Sequence, residues 1–172
     1  VGANFSGSLI HSMDFSNSDI SYSNFTNSEI YSSDFSLADA DHLECENCKI
    51  VNSMFHGADI SMSTFDYAII SDMTFHSTNI NCSTFQEAMI WDVTYNTTTL
   101  ANANFYKTHL FNVMFRDVDM TEVDILTMQG GPSIRFFGST FSRDNFYLLD
   151  INSDDYVMGL LQGWNFSQIN LE

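Results

Sequence analysis

Apolar residues recur along this chain with a stride of five. Every fifth position from Phe5 reads Phe5, Ile10, Phe15, Ile20, Phe25, Ile30, Phe35, Ala40 and Cys45, then large residues again from Ile50 to Ile125. All 25 positions are apolar. At 44% apolar content, independent placement fills such a frame about once in 10⁹ trials, so the stride is a structural rule. Neither a helix nor a flat strand has this period, since those repeat at about 3.6 and 2 residues. The backbone must turn a corner about every five residues, which is the signature of a repeat architecture.

Two more positions are restricted. The residue two places before the large apolar one is mostly small: Ala3, Ser8, Ser18, Ser23, Ser28, Ser33, Ala38, and later Ser53, Ala58, Ser63 and Ala68. The residue just before it is often Asp or Asn, as at Asn4, Asp14, Asp19, Asn24, Asp34, Asp39, Asp59, Asn79, Asn104, Asp119 and Asp124. This pattern resembles the pentapeptide-repeat family over residues 3–125. The resemblance implies an all-β fold, a right-handed quadrilateral β-helix of about six coils, with four pentapeptides per coil and the large and small positions facing inward. At about 4.7–4.9 Å per coil, the rod is roughly 30 Å long. Phe5, Phe25, Phe65, Phe85 and Phe105 then stack on one wall. Phe15, Phe35, Phe55, Phe75, Tyr95 and Phe115 stack on the opposite wall, with Ile and Leu on the two between. Ala40 and Cys45 undersize adjacent sides of one coil, where a looser or bulged core is expected.

The frame breaks at Gly130-Gly131-Pro132, a loop signal. An apolar series resumes one place later: Phe136, Phe141, Phe146, Ile151, Tyr156, Leu161, Phe166, Leu171. Its inward partners Asp144, Leu149, Asp154 and Trp164 are not small, so full coils are not expected. The reading is a partial coil or hairpin over 133–147 and a short helix over 154–163, opened by Ser153-Asp154-Asp155 with acids at its positive end. Residues 1–129 form the repeat and 130–172 a cap of the same domain, covering an otherwise open sheet edge. The family resemblance also implies a dimer contact through the C-terminal region, as in some bacterial members.

Length and charge narrow the classes. The chain has 172 residues, enough for one domain. Its 22 acids against 5 Lys and Arg give a formal net charge of -17, which repels phosphate backbones and argues against direct nucleic-acid binding. No apolar run is long enough to insert in a membrane. Nucleophile-elbow, phosphate-loop, dinucleotide and zinc-protease motifs do not occur, and a filled rod offers no deep pocket, so no enzyme and no cofactor are expected. The first residue is Val1 rather than Met. With so few Lys and Arg, this leans toward a processed or excised chain in a lumenal or extracytoplasmic compartment such as a thylakoid lumen, or secreted, with the cytoplasm as the alternative. Sequons at Asn4, Asn24, Asn81, Asn96 and Asn165 permit glycosylation in such a lumen.

Three Cys are too few for a disulfide scaffold. Cys45 and Cys48 fall at inward positions on neighbouring sides and read as small buried hydrophobes that need no redox role, with a disulfide between them as the lesser alternative. His42, Met62 and Cys82 stack on one outer corner as soft ligands, which makes surface metal handling one functional reading, with coincidence the simpler one. His56 and His76 stack likewise on an outer face.

Two surface features bear on function. Residues 1–125 carry 17 acids and three bases (Lys49, Lys107 and Arg116). That is about one net charge per 2 Å of axis, against one per about 1.7 Å for duplex DNA. Bacterial quinolone-resistance pentapeptide proteins are similar in repeat, size and acidity, and the similarity implies a DNA mimic that binds a type II topoisomerase. The simpler reading is that the acids keep a β-rod soluble. The second feature is an apolar outer wall. Around Ile10, Ile30, Ile50, Ile70, Ile90 and Leu110, the outward neighbours include Leu9, Tyr31, Val51, Ile69, Met89, Trp91 and Phe111. Such a patch marks a partner site, with Tyr and Trp as anchors. The favoured reading is a non-catalytic scaffold docking a protein partner, as an accessory of a larger, membrane-associated complex. The alternative cover for the wall is the C-terminal tail.

Overall fold

Every fifth residue from Gly2 to Asp117 has a positive φ, between 49° and 67°. This left-handed corner is what the stride of five encodes. Gly, Asn and Asp accept it readily, but here it is also imposed on Leu37, Tyr67 and Thr97. The Asp/Asn rule has a mechanism at the same corners. Asn4 Oδ1 accepts the Ser6 N–H at 2.9 Å, Asp14 the Ser16 N–H at 2.9 Å, and Asn24 the Thr26 N–H at 2.8 Å. A short polar side chain one residue before the core position thus holds the turn after it. Many corners are closed again by the core residue's own carbonyl, as in Ser8 N–H to Phe5 at 3.0 Å and Ser28 N–H to Phe25 at 2.9 Å. The small inward positions are hydroxyl-rich because their oxygens reach backbone carbonyls, as when Thr78 Oγ1 donates to Phe55 at 2.6 Å and Ser83 Oγ to Ile60 at 2.7 Å.

The computed structural model describes residues 1–130, 133–142 and 165–171. Its strands are β1 (Leu9–His11), β2 (Glu29–Tyr31), β3 (Lys49–Val51), β4 (Ile69–His76), β5 (Met89–Asn96), β6 (His109–Phe111), β7 (Met114–Arg116), β8 (Gln129–Gly130), β9 (Arg135–Phe141) and β10 (Asn165–Leu171). All pairing between them is parallel. From β1 to β8 the register is twenty residues per step, Ile10 to Ile30 to Ile50 to Ile70 to Ile90 to Leu110 to Gly130. Strands β4 and β5 run round a corner and cover two walls. On the other walls the coils meet through single bridges such as Asn4 to Asn24 and Asp19 to Asp39. The fold is the four-walled β-helix of about six coils that the family resemblance implies.

Aromatic columns fill the interior. On one wall Phe5 stacks on Phe25 at 4.7 Å, and Phe65, Phe85 and Phe105 follow at 5.0 Å steps. On the opposite wall Phe15, Phe35 and Phe55 stack at 4.8 and 4.7 Å. Phe75, Tyr95 and Phe115 continue at 5.1 and 5.0 Å. The two columns meet edge to face, Phe25 on Phe35 at 6.1 Å and Phe105 on Phe115 at 6.4 Å, the geometry that aromatic quadrupoles favour.

Two expectations are corrected in the coil that holds Ala40 and Cys45. No bulge forms: Asn24 pairs Glu44 and Glu44 pairs Thr64 in unbroken register. Leu43 supplies the missing bulk. It occupies a position that is Ser23 and Ser63 in the neighbouring coils, and it is buried. Cys45 and Cys48 are buried as expected, but they are joined in a disulfide across the corner at Asn47 rather than lying as separate hydrophobes.

After the break, the chain re-enters the coil one place late, as the sequence indicates. Strand β9 adds to β7 with Phe136 over Phe115, stacked at 5.1 Å. Parallel pairing makes the described part of 133–147 a further coil segment and not a hairpin. Strand β10 pairs with β9 thirty residues on, Asn165 with Arg135 and Leu171 with Phe141, so the twenty-residue spacing does not extend there. The helix expected over 154–163 lies outside the described residues.

Candidate docking surface

Strands β1 to β6 put two outward columns on the wall behind Ile10. One runs Leu9, Glu29, Lys49, Ile69, Met89, His109, Gln129, and the other His11, Tyr31, Val51, Ser71, Trp91, Phe111. Side chains alternate across a strand, so the residues flanking each inward Ile face outward together. Leu9, Met89 and Phe111 are exposed at 73%, 45% and 64%, while Tyr31, Val51, Ile69 and Trp91 are half-buried.

Polar side chains interrupt the seven-residue wall near its N-terminal end. Glu29, Tyr31 and Lys49 make a polar knot across the wall. The Tyr31 hydroxyl donates to Glu29 Oε2 at 2.6 Å, and the Lys49 ammonium lies 5.2 Å from the Tyr31 ring centroid. Hydrogen bonding to Tyr31, with its charge and that of Glu29 adding less, holds Lys49 above the ordinary lysine range. The knot leaves Leu9 alone at the N-terminal end. Beyond it, Val51, Ile69, Met89, Trp91 and Phe111 run together over four successive strands. At the far end lies a groove of about 460 Å³, lined by Met89, Trp91, His109, Phe111, Gln129 and Gly130. Sequence reading missed His109 because it is polar, yet it follows Met89 by twenty residues and belongs to the same column.

The remaining candidates are dispersed. His42 stacks face to face on Tyr22 at 4.5 Å and 11°, with Nδ1 2.7 Å from Asp41 Oδ2. Its ring face, not its free nitrogen, points along the column. The lone pair is therefore not aimed at Met62 or Cys82, and the three do not converge as a ligand set. His56 and His76 stack in the same manner at 4.8 Å, with the Asn96 amide 2.7 Å from His76 Nδ1. Many acids serve the corners: Asp14, Asp19, Asp34, Asp59, Asp119 and Asp124 each accept an N–H two residues on. Hydrogen bonds from Ser16 and Ser21 hold Asp14 and Asp19 below the usual carboxylate range.

A family model for pentapeptide repeats matches residues 1–36 in eight copies. No curated protein sequence matches the chain. Among solved structures, a trypsin-treated variant of QnrB1, a plasmid-mediated fluoroquinolone resistance protein, aligns over 100% of this chain and 86% of its own with TM-score 0.63 at 14% identity. A second trypsin-treated QnrB1 variant aligns over 100% and 92% with TM-score 0.55 at 12% identity. A pentapeptide repeat protein of the Arabidopsis thaliana thylakoid lumen aligns over 60% and 69% with TM-score 0.32 at 17% identity. For the two QnrB1 variants the likeness is one of fold. The stride of five, the left-handed corner after each core residue and the stacked four-walled interior give this chain the fold of the pentapeptide-repeat β-helix, and its first 36 residues match the repeat itself.

Proposed function

We propose that the chain is a non-catalytic scaffold, a rigid acidic rod that docks a partner protein through the wall carrying Leu9, Tyr31, Val51, Ile69, Met89, Trp91 and Phe111. One observation supports this above the others. Five of these residues lie side by side on β3 to β6, and Met89 and Phe111 are largely exposed although the fold has a complete apolar interior of its own. Large exposed apolar side chains held on a flat sheet mark an interaction site. The groove at Trp91 and Phe111 is the natural place for an anchoring residue, and Leu9, beyond the polar knot, is peripheral. The test is quantitative native co-purification with wild type and with Trp91→Ala/Phe111→Ala. A discrete partner held by wild type and released by the variant is the expected result. An unchanged partner list from a folded variant refutes the wall.

A second reading is a DNA mimic acting on a type II topoisomerase. Its support is the charge density along the rod together with the fold shared with a fluoroquinolone resistance protein. A gyrase supercoiling assay decides it, because a mimic inhibits or protects the enzyme at micromolar concentration and a plain scaffold does neither.

A further inference from the structure

The apolar strip has a definite size. Strands about 4.8 Å apart, each presenting three residues of about 3.3 Å, give β3 to β6 an outline roughly 14 Å long and 10 Å wide. Adding Tyr31 on β2 lengthens it to about 19 Å. Its projected area, below about 200 Å² by that spacing, is far short of the roughly 800 Å² each partner contributes to a stable interface. On the apolar strip alone neither a second copy nor a single helix reaches that area, so any occupant must also use the charged borders. The outline matches one α-helix, which is about 10–12 Å across with its side chains and rises 5.4 Å per turn. One helical turn exceeds one coil by only about 0.6 Å, so helix positions i, i+4, i+7 and i+11 fall over successive strands.

Charge selects among helices. Asp72 and Asp92 sit on successive coils at the corner that borders Ser71 and Trp91, and both are exposed. The Ser71 hydroxyl donates to Asp72 Oδ2 at 2.8 Å, and the Asn112 amide donates to Asp92 Oδ1 at 2.5 Å. These bonds aim the carboxylates without neutralising them, and neither has a basic partner among the described residues. On the opposite border Glu87 is followed one coil on by Lys107, and Lys49 stands in the strip's own column on β3, so the acidic border is the one at Asp72 and Asp92. Two carboxylates one coil apart beside an apolar strip fit two cationic side chains one helical turn apart on the flank of an apolar stripe.

Resting on the docking function of this wall, we propose that its partner presents a basic amphipathic helix of about three to four turns. Its apolar stripe lies over Val51, Ile69, Met89, Trp91 and Phe111. A Lys or Arg pair at i and i+4 faces Asp72 and Asp92.

The probe is a synthetic amphipathic peptide of Leu, Ala and Lys with one Leu stripe and Lys on its flanks, beside a sister peptide carrying Glu for Lys. Binding is read by calorimetry and by the shift in tryptophan emission, with the 172-residue chain intact. The Lys peptide is expected to bind and the Glu peptide not. Asp72→Asn/Asp92→Asn weakens binding about tenfold. Glu44→Gln/Glu46→Gln, which removes the same charge from another wall, leaves it nearly unchanged. Trp91→Ala/Phe111→Ala abolishes it, with Phe111→Ala alone as the substitute if the double variant fails to fold.

Equal binding of both peptides, binding of neither, or equal weakening by the two charge variants overturns the inference. So does concentration-dependent dimerisation of the chain that Phe111→Ala removes. Failure of the inference is separable from failure of the wall. A native partner lost with Trp91→Ala/Phe111→Ala but indifferent to Asp72→Asn/Asp92→Asn keeps the docking surface and rejects the basic helix.

Discussion

Tyr95 occupies a position that its column gives to Phe in every other coil. Its ring stacks on Phe75 at 5.1 Å and on Phe115 at 5.0 Å, and meets Phe105 edge-on at 6.2 Å. The side chain is fully buried. Its hydroxyl has no hydrogen-bond partner among the described residues. A buried, unsatisfied polar group costs about 1–3 kcal/mol of desolvation that nothing returns. Tyr95→Phe deletes that oxygen and keeps the ring, its stacking and nearly all its apolar area. The variant should therefore be more stable by about 1–3 kcal/mol. For a chain of this length each kcal/mol moves the melting temperature by about 2–4 °C. Urea unfolding followed by circular dichroism, with a thermal scan beside it, measures both.

The same residue gives a signed pH effect. Burial pushes the Tyr95 phenol well above the ordinary tyrosine range. The unfolded chain ionises this group near pH 10 while the folded chain keeps its proton, so above that pH the unfolded state binds fewer protons. Wild type then loses stability at about 1.4 kcal/mol per pH unit from this group, and Tyr95→Phe does not. The stability gap between the two proteins should be constant below about pH 9 and widen above pH 10. A variant less stable than wild type, or a gap that stays flat to pH 11, would show that the hydroxyl has a partner and would falsify the orphan-group argument.

Three further outcomes follow from particular residues. Thr97 is β-branched and held at φ 51°, so Thr97→Gly should stabilise by about 1 kcal/mol, whereas Gly7→Ala, at φ 67° in open space, should cost about as much; chemical denaturation of both reads the sign. Because hydrogen bonds to the charged form lower the pKa of Asp14 and Asp19, their contribution to stability is present above the unfolded carboxylate pKa and lost as pH falls through the lower folded value; carboxyl carbon shifts in an NMR titration should place both midpoints below the usual aspartate value. Alkylation in denaturant without reductant should label Cys82 alone, and labelling after reduction should reach all three Cys, since Cys45 and Cys48 are disulfide-bonded; three labels before reduction, read by mass spectrometry, would reject the bond.

The walls of this fold were legible because one rule is written 25 times, and a stride that matches no helix or strand leaves few architectures. The corner conformation was only half legible. Asn17, Asn27 and Asn102 suggest a left-handed residue, but Leu37, Tyr67 and Thr97 occupy it only because coils on either side fix the backbone. Volume balance was hidden as well. Ala40 and Cys45 looked like a defect, since Leu43 sits in a position defined by small residues and its bulk counts only once columns are compared. The stride already puts Cys45 and Cys48 inside on neighbouring sides, but two separate buried thiols satisfy the same positions, and only the corner at Asn47 shows them within bonding distance.

The proposed docking wall was legible by residue and not by contiguity. Counting apolar side chains on one wall found Val51, Ile69, Met89, Trp91 and Phe111, but it also admitted Leu9 and Tyr31. Glu29 and Lys49 stand between Leu9 and the rest while Tyr31 pairs directly with Val51, and only the strand register brings these residues side by side. The same register bears on how so slender a strip could bind. Its backbone is fixed by ladders on both sides, so association orders only a few side chains, at about 0.5–1.5 kcal/mol each. Trp91 and Val51 are already half-buried against neighbouring residues, which reduces even that cost. A filled, rigid interior thus leaves recognition to the outer positions of the repeat and also holds them ready, so that a small apolar area with well-placed carboxylates can discriminate among partners where a mobile loop of equal area could not.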